Sequence, residues 1–301
     1  METYPSWLWI AFALTAALIQ AVRFMVQKQM AQAGLTATGA TWARFIYSWP
    51  MVAVALAGYI TLRGLTLPAT TPAFWAYAAI GGASQILATV YVVKLFARRN
   101  FAVGITLKKS EVLLTAAVGW LVLGEVPGWA GFAAMVVGMA AILLLSAPAQ
   151  SGLKFDSRSI GLGLASGLFF AISGVGYRGA TLQLESNDVL LRAGVALAFV
   201  VTLQALLMLV WLTLRDRQEI RRVLAAWRPG LLVGVTSFGG SFCWFAAFAL
   251  QTAAIVFALG QIEVLFSMII GARIFSEHLT RRELTGIALL ITSIITLVAA
   301  A

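Results

Sequence analysis

Long apolar runs separated by short polar connections make up almost the whole chain. A helix that crosses the roughly 30 Å hydrocarbon core of a bilayer needs about 20 predominantly apolar residues. Runs of that length fall at 7–27, 37–61, 73–93, 101–122, 128–146, 160–180, 188–212, 230–250, 253–272 and 284–300, so the pattern predicts ten spans. Transmembrane strands would instead be segments of about ten residues with alternating polarity. The expected fold class is therefore an all-α integral membrane protein. The first run is too long for a signal peptide and has no positive segment before it, so it is read as a span. The longest connection, 213–229, is basic and leaves no room for an extramembrane domain.

An internal repeat organises these runs. Sliding the sequence by 152 positions lays 82–125 on 234–277 without a gap. The identities include Gly82/Gly234, Phe96/Phe248, Leu107/Leu259, Glu111/Glu263, Val112/Val264, Leu113/Leu265, Gly119/Gly271 and Glu125/Glu277. Apolar composition supplies Ala and Leu matches by chance, but not two EVL triplets each followed by a glycine and an acid at the same distances. Ten spans in two copies give five each, and an odd number makes the second copy enter the membrane from the opposite side. The sequence thus predicts a 5+5 inverted repeat, with residues 1–150 as the first copy and 151–301 as the second in one integrated membrane domain. Inverted repeats of this kind recur in secondary transporters, with the substrate near the midplane between the copies.

Composition agrees with the pattern: the 301 residues are 61% hydrophobic and only 11% charged, with mean hydropathy +0.93. The net charge of +10 and the pI near 10.4 would suggest nucleic acid for a soluble protein. Here the charge reads as topology, because most of the 21 Lys and Arg residues fall in the odd-numbered connections, which the positive-inside rule places in the cytoplasm. No nucleic-acid partner is expected; the partners are a small-molecule substrate and the lipid bilayer, and a monomer suffices. The single cysteine, Cys243, excludes an intrachain disulfide and a multi-thiolate metal site. No cofactor is expected.

The segments SEVLLTAAVGWLVLGE and IEVLFSMIIGARIFSE, the latter followed by HLTRRELTGIALLITSII, resemble the hallmark of the drug/metabolite transporter superfamily in its ten-helix, EamA-type form. The chain departs from that hallmark where Val112 and Val264 replace a frequent proline and where Phe275-Ser276 replaces Leu-Gly. The resemblance covers both halves and implies a small-metabolite carrier of the bacterial inner membrane. Length and Trp/Phe content make it most similar to YddG-type amino-acid exporters.

Charged side chains at membrane depth are costly unless paired or facing water, so each marks a candidate site. Glu111 and Glu263 are joined by Arg23, Arg44, Lys108, Lys109 and Arg192. Glu111 follows Lys108 by three residues, on the same helical face, either as a local ion pair or with a lysine left to bind a substrate carboxylate. Lys109 corresponds to Gln261 in the second copy, so charge is asymmetric where the scaffold repeats. Glu263 has no basic neighbour within a turn and needs Arg44 or Arg192, water, or a proton, the last being what a proton-coupled carrier requires. Small polar and aromatic residues of the third and eighth spans complete the expected substrate site. These are Tyr77, Gln85, Thr89 and Tyr91, with Ser237, Phe238 and Trp244 opposite, joined by Lys109, Glu111, Gln261 and Glu263. Trp7, Trp9, Trp49, Trp75, Trp129 and Trp227 lie near span ends and are expected in an interfacial belt. Glu125 and Glu277 are expected to cap helices.

No phosphate-binding loop is present, so transport would be driven by gradients. The expected function is export of small metabolites, amino acids first, by alternating access. A drug or lipid flippase on the same scaffold is the alternative. A membrane-embedded transferase is disfavoured because His278 is the one histidine and no aspartate lies within a span, Asp188 standing only at the first position of one.

Overall fold

A computed structural model describes residues 4–96, 107–146, 157–266 and 281–300, and every regular element among them is an α-helix. In chain order these are α1 (Leu8–Gln32), α2 (Ala37–Arg63), α3 (Pro72–Phe96), α4 (Glu111–Leu123), α5 (Trp129–Ser146) and α6 (Ser157–Leu182). They are followed by α7 (Val189–Arg215), α8 (Arg217–Ala225), α9 (Trp227–Leu250), α10 (Ala253–Gly260) and α11 (Arg281–Ala300). Helices α1, α2, α3, α6, α7 and α9 are long and apolar enough to cross a membrane, and Glu111–Leu123, Trp129–Leu145, Ala253–Phe266 and Leu284–Ala300 are shorter apolar helices. This is the helix inventory of a multi-pass membrane protein. Parts of the runs expected at 101–122 and 253–272, and Glu277, lie outside the described residues.

Local chemistry sets the helix ends. Thr36 caps α2 by accepting from Gly39 N at 3.0 Å, Thr71 accepts from Phe74 N at 3.1 Å at the start of α3, and Asp188 accepts from Leu190 N and Leu191 N at the start of α7. Helices α2 and α4 both stop at a left-handed glycine, Gly64 (φ 61°) and Gly124 (φ 68°), a conformation that costs other residues more. The basic connection 213–229 is not a plain loop, because it holds α8. Its sequence signal is Asp216-Arg217-Gln218-Glu219, in which the Asp216 carboxylate accepts from Glu219 N at 3.1 Å as in a capping box.

Two helices are broken at corresponding points. Leu107 and Lys108 are helical, Lys109 and Ser110 form a turn, and α4 then begins at Glu111. After α10, Gln261 and Ile262 form a turn and the helix resumes at Glu263. Ser110 N donates to Leu107 O (3.1 Å) and Val112 N to Lys109 O (3.4 Å); 152 positions later, Ile262 N donates to Leu259 O (3.1 Å) and Val264 N to Gln261 O (3.0 Å). These i to i+3 bonds tighten the chain into short 3₁₀-type turns, a feature that marks hinges and sites within helices.

Packing joins the first five helices to the later ones in pairs. Helix α3 lies on α6, α1 on α9, α2 on both α7 and α9, α4 on α10, and α5 on α11. The α3–α6 crossing is a glycine contact: a Cβ on Gly176 would stand 2.8 Å from Gly81 Cα. Small residues let membrane helices approach this closely, so dispersion and backbone contact replace the missing hydrophobic drive. Outward faces are apolar, with Leu62, Leu121, Trp129 and Leu214 strongly exposed, as lipid-facing surfaces require. Trp7, Trp75, Trp129 and Trp227 are exposed near helix ends as a belt requires, whereas Trp49 is exposed at the middle of α2, at the wrong depth for a belt, and Trp9 is buried. It stands on the α1 stripe of Ala13, Ala16 and Gln20, which faces the interior, and that periodicity overrides its place near a helix end.

Candidate functional site

The buried polar residues converge between the two helix breaks. A cavity with about 30 Å³ of free space is lined by Gln20, Arg44, Gln85, Lys108, Glu111, Ser241 and Glu263 on its polar side. Phe170, Tyr177, Trp244, Phe245, Phe248 and Phe257 form the aromatic side, with Gly260 between. That space holds one or two waters.

Two ion pairs frame the cavity. Lys108 Nζ lies 2.9 Å from Glu111 Oε1 within one segment, whereas Lys109 Nζ reaches across to Glu263 Oε2 at 2.9 Å. The adjacent lysines point different ways because the turn at Lys109 and Ser110 ends the helical register between them. The pairing expected between Glu263 and Arg44 or Arg192 does not occur. Arg192 instead donates to Ala249 O at 3.5 Å near a helix end, and Arg44 donates to Thr89 Oγ1 (3.1 Å) and Ser241 Oγ (3.3 Å).

Gln20 ties the network together: its Nε2 donates to Glu263 Oε2 at 3.0 Å, and its Oε1 accepts from Arg23 Nη2 at 2.9 Å and Trp244 Nε1 at 3.2 Å. Gln85 Oε1 accepts from Ser173, and Gln204 donates to Tyr177 Oη at 3.1 Å. Lys108 also sits 4.5 Å from the Phe170 ring centre, a cation–π contact that stabilises a charge removed from water. Arg44 Nε, Arg23 Nε and Nη1, and Glu111 Oε2 are buried without a hydrogen-bond partner.

The aromatic wall depends on glycines. A Cβ on Gly260 would approach Trp244 Cη2 to 2.5 Å, and one on Gly174 would overlap the Phe257 ring. Trp244 and Phe248 stack at 5.9 Å, Phe257 meets both edge-on, and Tyr177 stacks on Phe245 at 4.3 Å. A further ion pair is tied to the lining residue Phe248. Arg178 Nε lies 2.8 Å from Glu125 Oε1, and Arg178 Nη1 donates to Phe248 O at 2.7 Å. Glu125, expected to cap a helix, thus links the α4–α5 turn to α6 and α9.

Of the expected site residues, Gln85, Glu111, Trp244 and Glu263 line the cavity, while Thr89 and Lys109 hold lining residues from behind. Tyr77 packs on Gly179, Tyr91 lies 5.9 Å from Phe169, and Phe238 lines an apolar groove between α2, α7 and α9. Ser237 and Gln261 are buried away from the lining, Gln261 near Gly138 of α5. Gln20 lines the cavity without having been expected there, and Arg44, weighed as a partner for Glu263, lines it as well. Gln20 carried a signal, as one of three polar residues, with Arg23 and Gln27, on the buried face of α1.

Comparisons with known proteins agree with this architecture. Residues 157–299, a little under half of the chain, match the EamA-like transporter family. No curated protein matches. Among 29 matching chains of solved structures, one crystal structure is similar at TM-score 0.73 and 13% identity, covering 96% of this chain and 95% of that one. At that identity the likeness shows a shared fold along nearly the full length and leaves function to the site.

Proposed function

We propose that the protein is a secondary transporter of the bacterial inner membrane that exports small metabolites, amino acids first among them, through the central cavity by alternating access. The observation that carries this is the position of the cavity between two helix breaks that recur 152 residues apart, each followed by a buried glutamate. Discontinuous helices at a repeat interface are how membrane carriers expose polar groups to a substrate at the midplane. Residues 1–150 and 151–301 act as the two inverted copies. The reciprocal packing of α3 on α6 and α1 on α9 supports this reading, since it joins the third helix of each copy to the first helix of the other. With odd connections in the cytoplasm, the Arg178–Glu125 pair lies on the outer side, and its rupture would be part of outward opening.

The site proposed for the substrate is the lining set Gln85, Glu111, Trp244 and Glu263, supported by Thr89 and Lys109. The aromatic wall receives an apolar side chain and the polar side fixes orientation. The protein acts as a carrier rather than as an enzyme, and a monomer contains the whole pathway. A lipid or drug flippase finds one supporting observation, a groove of about 590 Å³ between α4 and α5. Its lining, including Leu113, Trp120 and Phe132, is wholly apolar, so it offers nothing to hold a headgroup.

Counterflow in proteoliposomes tests the choice. Purified protein is expected to accelerate exchange of a radiolabelled amino acid or related carboxylate and to leave a labelled phospholipid in its leaflet. Lipid movement without solute exchange would overturn the proposal.

A further inference from the structure

The charges around the cavity do not balance. Arg23, Arg44, Lys108 and Lys109 are buried there, and the buried carboxylates beside them are Glu111 and Glu263. Each carboxylate is matched to a lysine, so among the described residues neither arginine makes an ion pair with a carboxylate: Arg23 feels Glu263 only across Gln20, and Arg44 has no carboxylate beside it. Glu219, the other buried acid, is remote from the cavity, held by Thr36 and Arg222. Arg44 lines the cavity, donates to the hydroxyls of Thr89 and Ser241 and lies over the ring of Phe45, and its Nε is buried without a hydrogen-bond partner. Arg23 stands one layer behind, fixed to Gln20 and over Phe24.

Two surplus cations in a low-dielectric site favour an anion strongly, because an isolated buried charge keeps most of its desolvation penalty until a counter-charge arrives. A zwitterion brings no net charge to offset that surplus. The lining carboxylates that could receive its ammonium, Glu111 and Glu263, each already face a lysine. The facing wall of Trp244, Phe248 and Phe257 selects a flat apolar group.

We infer that the cavity's preferred substrates are net-anionic aromatic carboxylates, whose carboxylate meets Arg44 and whose ring meets the Trp244 wall, in preference to zwitterionic amino acids of the same shape. This rests on the transporter reading above and, within it, moves anionic carboxylates ahead of amino acids as the first substrate class.

The test is counterflow by the full-length protein in liposomes, at fixed chloride, with two probes of matched shape, 3-phenyllactate and phenylalanine. The expected half-saturation concentration for phenyllactate is lower by about tenfold or more. Arg44→Gln is expected to erase that ratio, while Arg44→Lys, which keeps the charge, retains most of it. Equal or better handling of phenylalanine by the wild-type protein overturns the inference and leaves the transporter reading intact, and this comparison stands even if a variant fails to fold. A preference that survives in a folded Arg44→Gln protein also overturns it. If neither probe nor any other small solute crosses while labelled lipid does, both readings fall together.

Discussion

Lys109 Nζ and Glu263 Oε2 lie 2.9 Å apart although 154 residues separate them in the chain. Both are buried, and each sits at one of the two helix breaks, so the contact fastens one broken helix to the other. Removing one member of a buried pair leaves an unpaired charge, which typically costs about 3–5 kcal/mol, while replacing both by apolar groups is often neutral. Lys109→Met is therefore expected to lower the thermal unfolding midpoint in detergent markedly, and Lys109→Met with Glu263→Met to recover most of the loss. Additive losses in the double variant would show that the pair is not coupled.

Gly260 is required by its neighbour. A methyl group there would press on the Trp244 indole at 2.5 Å, whereas a Cβ on Gly128 meets nothing within 4 Å. Gly260→Ala is expected to displace the indole, shift tryptophan emission and raise the half-saturation concentration for transport by about tenfold. Gly128→Ala is expected to change neither. Identical behaviour of the two variants would remove the steric argument.

Arg178 joins Glu125 to the C-terminal end of α9 through Phe248 O. Glu125→Gln weakens this charge-assisted contact. Hydrogen exchange in the C-terminal turn of α9 should accelerate in that variant, with exchange in α7 unchanged. A pattern indistinguishable from wild type would mean that the pair does not hold this end of α9.

Glu219 fastens α8 to the start of α2, accepting from Thr36 N at 2.6 Å and Thr36 Oγ1 at 2.9 Å. Glu219→Ala leaves those donors without their acceptor, at a cost of about 1–3 kcal/mol. Trypsin is then expected to cut after Arg221 or Arg222 several times faster than in wild type. Unchanged cleavage would show that α8 is held by its apolar contacts alone.

How much of this was legible beforehand follows from the kind of signal each feature leaves. The apolar runs located the long helices closely, because length and hydropathy are one-dimensional properties. The buried glutamates were visible as acids inside apolar runs. The Lys108–Glu111 pair was legible as an i, i+3 spacing, but the partner of Glu263 was not, because nothing local says that Lys109 reaches across to the other helix break. Trp9 was misplaced because nearness to a helix end weighed more than its register with Ala13 and Ala16. Helix α8 was missed because its arginines were read as topology, although Asp216 and Glu219 spell a capping box. Arg44 was weighed as a partner for Glu263, and its place in the cavity wall depends on how α2 crosses α3 and α9, which no local pattern encodes.

The central claim is that solute passes through the cavity on one face of α9 and not along its lipid-facing groove. Trp244 lines the cavity and Phe242, two residues away, lines the groove. Counterflow by Trp244→Ala and Phe242→Ala proteins, reconstituted in equal amounts, tests this most directly. Exchange reduced about tenfold in the first and near wild type in the second is the predicted result. Full exchange by Trp244→Ala, or loss confined to Phe242→Ala, would contradict it.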